Sequence, residues 1–318
     1  VKPSFTPNQL HVIAVINNPL RFNSRLRLFQ EFAARMRRDR VNLHIVEAAF
    51  GARDYEVTEA EDFDHVQLRQ TDELWLKENL VNIGVRRLPS DWQYVAWIDA
   101  DVELINRDWA VETIHQLQHF AIVQLFQTAV DLGPRGESFR VYDGFGYSHA
   151  HGLPIKWTRD VYTGMNAPVG VFRHPGYAWA MRREAYDDLG GLMEHAILGA
   201  GDHHMALALL GMAHYSVPAT LHPHYHDEVY RWQDRATRHI RQNLGYVPGT
   251  LLHHWHGKKV DRRYIDRWKI LEKHRYDPLV DVKHDAQGLL IFSDQGIRMR
   301  NDLRDYFRCR HEDSIDFE

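Results

Sequence analysis

A chain of 318 residues with 44% hydrophobic and 26% charged residues has the composition of a folded protein with a sizeable core, either one large domain or two small ones. A formal net charge of -4 excludes a general polyanion coat, though not a local basic patch. The single cysteine, Cys309, excludes an internal disulfide and points to a reducing compartment. The opening VKPSFTPNQL lacks the build of a signal peptide, and no apolar run approaches the roughly 18–20 residues of a membrane span. The expectation is a cytoplasmic protein with no membrane insertion.

In chain order, residues 11–18 (HVIAVINN) form an apolar run closed by turn-formers and Pro19, the mark of a buried strand. From Ser24, a plausible N-cap, the spacing of Leu28, Phe29, Phe32 and Met36 predicts a helix. A second strand at 41–50 completes a βαβ unit with parallel strands. Residues 51–72 are charged and weakly patterned and read as a surface excursion. Residues 71–88 read as a helix ending before Pro89, followed by a strand at 94–99, a helix near 109–117 and a strand at 120–126. This alternation predicts a doubly wound α/β fold with a mainly parallel sheet, whose ligands bind at the carboxyl ends of the strands. Glycine and proline dominate 133–175, a long loop or a subdomain boundary. The remainder is largely helical and ends in a loose acidic tail. We place a catalytic domain at 1–260 and a helical C-terminal extension with its tail at 261–318.

The centre of the chemistry is Asp99-Ala100-Asp101, delivered by an apolar strand to that carboxyl edge. Two carboxylates at i and i+2 can share a cleft, one ligating Mg2+ or Mn2+ and the other contacting ribose or the metal's waters; a solvated turn is the bland alternative. Histidine is abundant, 22 in all, and clusters at His203-His204, His222/His224/His226 and His253-His254-Trp255-His256. Imidazole serves as metal ligand and as general base. His222, His224 and His226 would share a face on a strand, a possible second metal site, although a polar loop is the simpler reading. Asn17, Asn18 and Arg21, at the first strand's exit, offer donors for a nucleotide base and phosphate, or form a polar turn. Tyr177 and Trp179 are either an aromatic platform for a sugar ring or a core strand. Arg231, Arg235 and Arg238 recur at i, i+4 and i+7 on one helical face, either solvated or a positive surface for a polyanionic acceptor.

The run WLKENLVNIGVRRLPSDWQYVAWIDADVELINRDW resembles the donor-site region of the β-1,4-galactosyltransferases and related enzymes of the glycosyltransferase-A fold. Trp75, Lys77, Asn82 and Gly84 match the aromatic, basic and Asn-x-Gly positions that precede the strand and DxD. GYAWAMRREAYDDLGGLMEHAILGAGDHHMALALLG resembles the family's second block, and HHWHGKK (253–259) its late metal histidine. Three motifs in the right order span roughly residues 11–275. The resemblance implies a single Rossmann-like glycosyltransferase-A fold and transfer of a sugar from a nucleotide-sugar donor to an acceptor hydroxyl, with inversion. It implies a metal held by Asp99, Asp101 and His256 (His254 second), and donor contacts from Asn17, Asn18, Arg21, Lys77, Asn82, Asp99 and Lys258, with Lys259 as the alternative to Lys258. Where the family places Glu-Asp, this chain has Asp202-His203. Asp202 is the favoured base or acceptor-binding residue, His203 the runner-up, and helix capping the structural alternative for Asp202. Tyr177, Trp179, Arg231, Arg235 and Arg238 are the acceptor candidates, and some phage enzymes of this fold make hydroxymethylated DNA bases a possible acceptor. A metal-dependent hydrolase or nuclease, and a non-catalytic nucleotide-sugar-binding protein, are the rival functions.

Overall fold

The computed structural model describes residues 5–155 and 173–317. Its elements run β1 (Leu10–Asn17), α1 (Asn23–Arg38), β2 (Asn42–Phe50), β3 (His65–Gln70), α2 (Lys77–Val85), β4 (Tyr94–Ile98), β5 (Val102–Leu104) and α3 (Trp109–Leu117). Then come β6 (Ile122–Gln124), β7 (Thr128–Leu132), β8 (Ser138–Gly144), α4 (Phe145–Ala150), β9 (Arg173–His174), β10 (Ala178–Arg182), α5 (Arg183–Leu189) and α6 (Gly201–Leu209). The chain finishes with α7 (Pro223–Arg235), β11 (Leu244–Tyr246), β12 (Thr250–His253), α8 (Asp266–His274), β13 (Val282–His284), β14 (Leu290–Phe292) and α9 (Arg300–Arg308).

Seven strands form the central sheet in the order β11-β6-β10-β4-β1-β2-β3, and four of its six pairings are parallel. The fold is α/β with a mainly parallel sheet, as the alternation of strands and helices predicts. Strand β10 is the exception, antiparallel to both neighbours. A strand alternates its side chains, so Leu10, Val12, Ala14 and Ile16 of β1 enter one core while Ile13 enters the other. Helix α1 covers the first core with Phe29, Phe32 and Met36; α2 covers the second with Leu80 and Ile83. Each fully buried side chain of this size contributes about 1.5–3 kcal/mol. Gly84 explains the Asn-x-Gly spacing, because a Cβ there would lie 2.8 Å from Ile13 Cγ2 and hold α2 off the sheet.

A second sheet, β5-β12-β7-β8-β9, stands beside the carboxyl end of β4 and frames the DxD. Three expectations change. Residues 65–70 of the supposed surface excursion form β3, parallel to β2. Helix α2 begins at Lys77 rather than Thr71. The acidic tail is tied down: Asp313 accepts from the backbone N–H groups of Asn23 (2.9 Å) and Ser24 (2.7 Å), and Glu312 is 1% exposed. A distant carboxylate thus caps α1, a task the sequence assigned to Ser24. Residues beyond 260 share a core with the sheet, through Leu271, Leu290 and Phe307. Among the described residues no helix is long and apolar enough to cross a membrane.

Candidate active site

Strand β4 ends at Ile98, and the chain then turns so that the two aspartates part company. Asp99 pairs with Lys77, at the start of α2. Asp101 turns to the second sheet, its Oδ2 lying 2.8 Å from His256 Nε2 and 3.7 Å from His253 Nε2. The two imidazole nitrogens are 3.3 Å apart.

Register explains why His253 is there and His254 is not. In the parallel pairing of β12 with β7, His253 stands opposite Asp131. Its Nδ1 lies 2.8 Å from Asp131 Oδ1, which directs Nε2 toward Asp101. Strand alternation sends His254 the other way, 3.4 Å from Glu103. Asp131 is 1% exposed and also receives the Tyr177 hydroxyl at 2.8 Å and the Lys259 ammonium. Tyr177 stacks between His174 and His253, with centroids 3.7 and 4.7 Å away.

Asp101, His253 and His256 form a set that can hold a metal ion. Two observations fit that use. Asp101 Oδ1 is buried without a hydrogen-bond partner, and His256 Nε2, which also lies 2.9 Å from Arg262 Nη2, faces His253 Nε2 at 3.3 Å. Burial opposes ionisation of Asp101, but His256 and His253 outweigh it and hold the carboxyl well below the usual range. Burial likewise works against a charged His253, and Asp101 and Asp131 override it to raise its pKa.

Next to this set opens a cleft. Asn17, Asn18, Trp75, Lys77, Asp99, Asp101 and His256 line it, joined by Arg25, Phe307, Arg310 and Glu312. Burial, with repulsion from Asp101 and Asp202, pushes Asp99 up to about 6 despite Lys77. Glu78, 4% exposed beneath the cleft, accepts from Trp75 Nε1 (3.1 Å) and is pushed up to about 7 by burial.

No protein-family model matches the chain, and no curated protein matches it in sequence. Among solved structures it is similar to Drosophila β-1,4-galactosyltransferase 7, as a mutant in complex with manganese, UDP-Gal and xylobiose. The TM-score is 0.41 and the identity 12%, over 94% of this chain and 98% of that one. The catalytic domain of the same fly enzyme with xylobiose gives a TM-score of 0.38 at 13% identity, over 94% and 98%. Staphylococcus aureus TarS, residues 1–349, gives 0.35 at 11% identity, over 63% of this chain and 55% of that one.

The remaining candidates divide. Asp202 lies in the first turn of α6 rather than at its cap, with Oδ2 only 2.3 Å from where a Cβ of Gly176 would sit. Its charge reaches Lys77, Glu78 and Asp99. His203 is 1% exposed, and burial, aided by Arg267, lowers its pKa to about 3; it is an interior group. Asn82 is fully engaged in holding the loop after α5: it donates to Leu192 O and Glu194, and accepts from Leu192 N and Tyr186. It does not line the cleft. Asn18 closes its own turn through Phe22, and exposed Arg21 faces a neighbouring surface hollow.

Lys258 approaches Asp316 of the tail at 3.9 Å, so Lys259 is the lysine beside the histidines. Tyr177 and Trp179 are buried and form no open platform. Arg231 pairs with Glu228 and Arg235 donates to Leu189 O (2.7 Å). Arg238 is exposed on the π-helical turn Ala236–Ile240, and none of the three lines the cleft. Sequence reasoning missed Asp131, His253, Arg25, Glu78, Arg310 and Glu312. Only His253 carried a local signal, its place in HHWHG.

Proposed function

We propose that this chain is a metal-dependent glycosyltransferase that moves a sugar from a nucleotide-sugar donor to an acceptor hydroxyl with inversion. The observation that carries the proposal is the division of labour within the DxD. Asp101 joins two imidazoles in a cation-sized set, while Asp99 and Lys77 line an adjoining cleft.

A donor set of one carboxylate and two imidazoles suits Mn2+ better than Mg2+, which prefers oxygen. When bound, the cation neutralises charge on the leaving diphosphate. Asp101, His253 and His256 would hold it; Asp131 fixes the His253 tautomer by accepting the Nδ1–H hydrogen bond. Lys77 and Arg310 bring positive charge to the cleft wall, and the half-buried Trp75 ring covers part of it. Asp202 takes the proton from the acceptor hydroxyl, whose oxygen attacks the anomeric carbon as the bond to the diphosphate oxygen breaks. The arginine row of α7 lies outside the cleft, so a nucleic-acid acceptor draws no support from this geometry.

A thermal-shift screen of nucleotide sugars tests the reading. One nucleotide sugar should raise the melting temperature with Mn2+ and not with chelator, and Asp101→Asn should abolish the shift. Stabilisation by Mn2+ alone, with no response to any nucleotide sugar, would sink the transferase and leave a metal-dependent hydrolase.

A further inference from the structure

A second group of metal-ligating side chains gathers at the start of α7, outside the cleft. The sequence offers His222, His224 and His226 as alternate residues of a strand, but Pro223 opens a helix here and that alternation is lost. His222 becomes the N-cap, His224 lies in the first turn, and both converge on Asp277, three residues after α8. His224 Nδ1 lies 3.0 and 2.9 Å from the two Asp277 oxygens, and His222 Nδ1 lies 3.8 Å from Oδ2. The three ligand atoms all fall within 4.8 Å of one another.

We propose that His222, His224 and Asp277 form a zinc-type cation site, with water completing the coordination. Four ligands about 2.0–2.1 Å from a tetrahedral ion lie about 3.3 Å from each other. The distances of 2.9 and 3.8 Å bracket that edge, as do the 2.8, 3.3 and 3.7 Å of the cleft set. His222 Nδ1 caps the helix through His224 N and faces the Asp277 carboxylate as well, so a cation between the two rings would meet both imidazoles and Asp277 at once.

The scaffold is built to hold the three in place. Pro223 fixes the backbone between the histidines. Asp277 follows Tyr276, which is 1% exposed, and its backbone N–H donates to Asp281 Oδ2 (2.8 Å). Asp281 is in turn 1% exposed and paired with Arg298. Two nitrogens and one oxygen favour zinc over magnesium or calcium. Binding takes the lone pair that His222 Nδ1 gives to His224 N at 3.2 Å; that amide belongs to a first turn whose donors have no helical acceptor. A bound ion would clasp α7 to the segment after α8, and so fasten the region that brings Phe307, Arg310 and Glu312 to the cleft.

Titrating metal-free protein with zinc alone, by calorimetry and by elemental analysis after gel filtration, tests the site. Asp101→Asn removes the cleft's carboxylate and should still bind one equivalent. Adding His224→Ala to that background should lose the equivalent, or weaken it at least tenfold. The His224 side chain is 43% exposed, so this variant keeps its fold, checked by an unchanged circular dichroism spectrum. Asp277→Asn, which retains the acceptor used by Leu279 N, should lose the same equivalent. Zinc retained in the doubly substituted proteins, or no zinc bound by Asp101→Asn, overturns the proposal. Neither result bears on the cleft, whose metal is counted separately as the equivalent lost between wild type and Asp101→Asn.

Discussion

Asp202 occupies space that only a glycine leaves open. A Cβ on Gly176 would meet the Asp202 carboxylate at 2.3 Å and His174 Cε1 at 3.3 Å, so it is the Asp202 side chain that would have to move aside. Gly176→Ala should therefore act through Asp202. Both Gly176→Ala and Asp202→Asn should lower turnover by on the order of a hundredfold while leaving donor binding within a fewfold, read by calorimetry against initial rates. Loss of donor affinity in proportion to turnover would assign Asp202 to binding instead. Glu78 makes a second point at this scale. Its folded pKa, about 7, stands above the ordinary 4.5, so the folded state retains a proton that the unfolded chain releases. Its stabilising contribution is complete below pH 4.5 and is lost as pH rises through 7. Glu78→Gln keeps an acceptor for Trp75 and never ionises. Urea unfolding of the metal-free protein should show the variant equal to wild type at pH 4.5 and more stable by on the order of 2–3 kcal/mol at pH 8. Equal stability at both pH values would mean that Glu78 is solvated or paired in the folded state.

Elements carry what single residues cannot. The tail crosses back over α1, where Asp313 satisfies two N-terminal amides and the adjacent Glu312 meets Arg25, whose guanidinium also donates to Asn17 O (2.6 Å). One short segment thus caps a helix and sets the exit of β1 at the cleft. Asp313→Ala should cost about 1 kcal/mol, measured by denaturant unfolding, and should speed proteolysis within residues 311–317. The contrast with the sequence is instructive here. The strand-end DxD and the helix of Leu28, Phe29, Phe32 and Met36 were legible because each rests on local periodicity or on a short motif. Glu312 was not, since its partner Arg25 lies 287 residues away and RHED has no pattern to mark it. His253 and Asp131 were hidden for a related reason. Neither strand was read from the sequence, and their pairing across 122 residues decides which imidazole of HHWHG faces Asp101. Asn82 misled because its side chain is consumed by the loop at Leu192.

At the scale of the whole molecule, the histidines set the response to acid. Burial holds His11 and His195 at about 4 and His203 at about 3, each below the ordinary 6.5, and lowers His204 as well. These rings stay neutral in the fold, while an unfolded chain takes up their protons as pH falls through 6.5. Stability from them is therefore present above pH 6.5 and lost on the way down to pH 4. Asp99 and Glu78, raised to about 6 and 7, act with the opposite sign over much of the same window. His44, His174 and His254 are lowered too, so the depressed rings outnumber the raised carboxyls and the unfolded chain holds more protons near pH 5. Each excess proton contributes about 1.4 kcal/mol per pH unit to the rise of stability with pH there. Stability should climb from pH 4.5 to 6 and level off near pH 7, measured by urea unfolding across the range. His203→Asn should flatten that climb by one proton and leave turnover at pH 8 within a fewfold, because the ring lies in the interior of α6 and not in the cleft. An unflattened climb together with a hundredfold loss of turnover would mean that the ring titrates in the folded enzyme. The general base would then move from Asp202 to its neighbour.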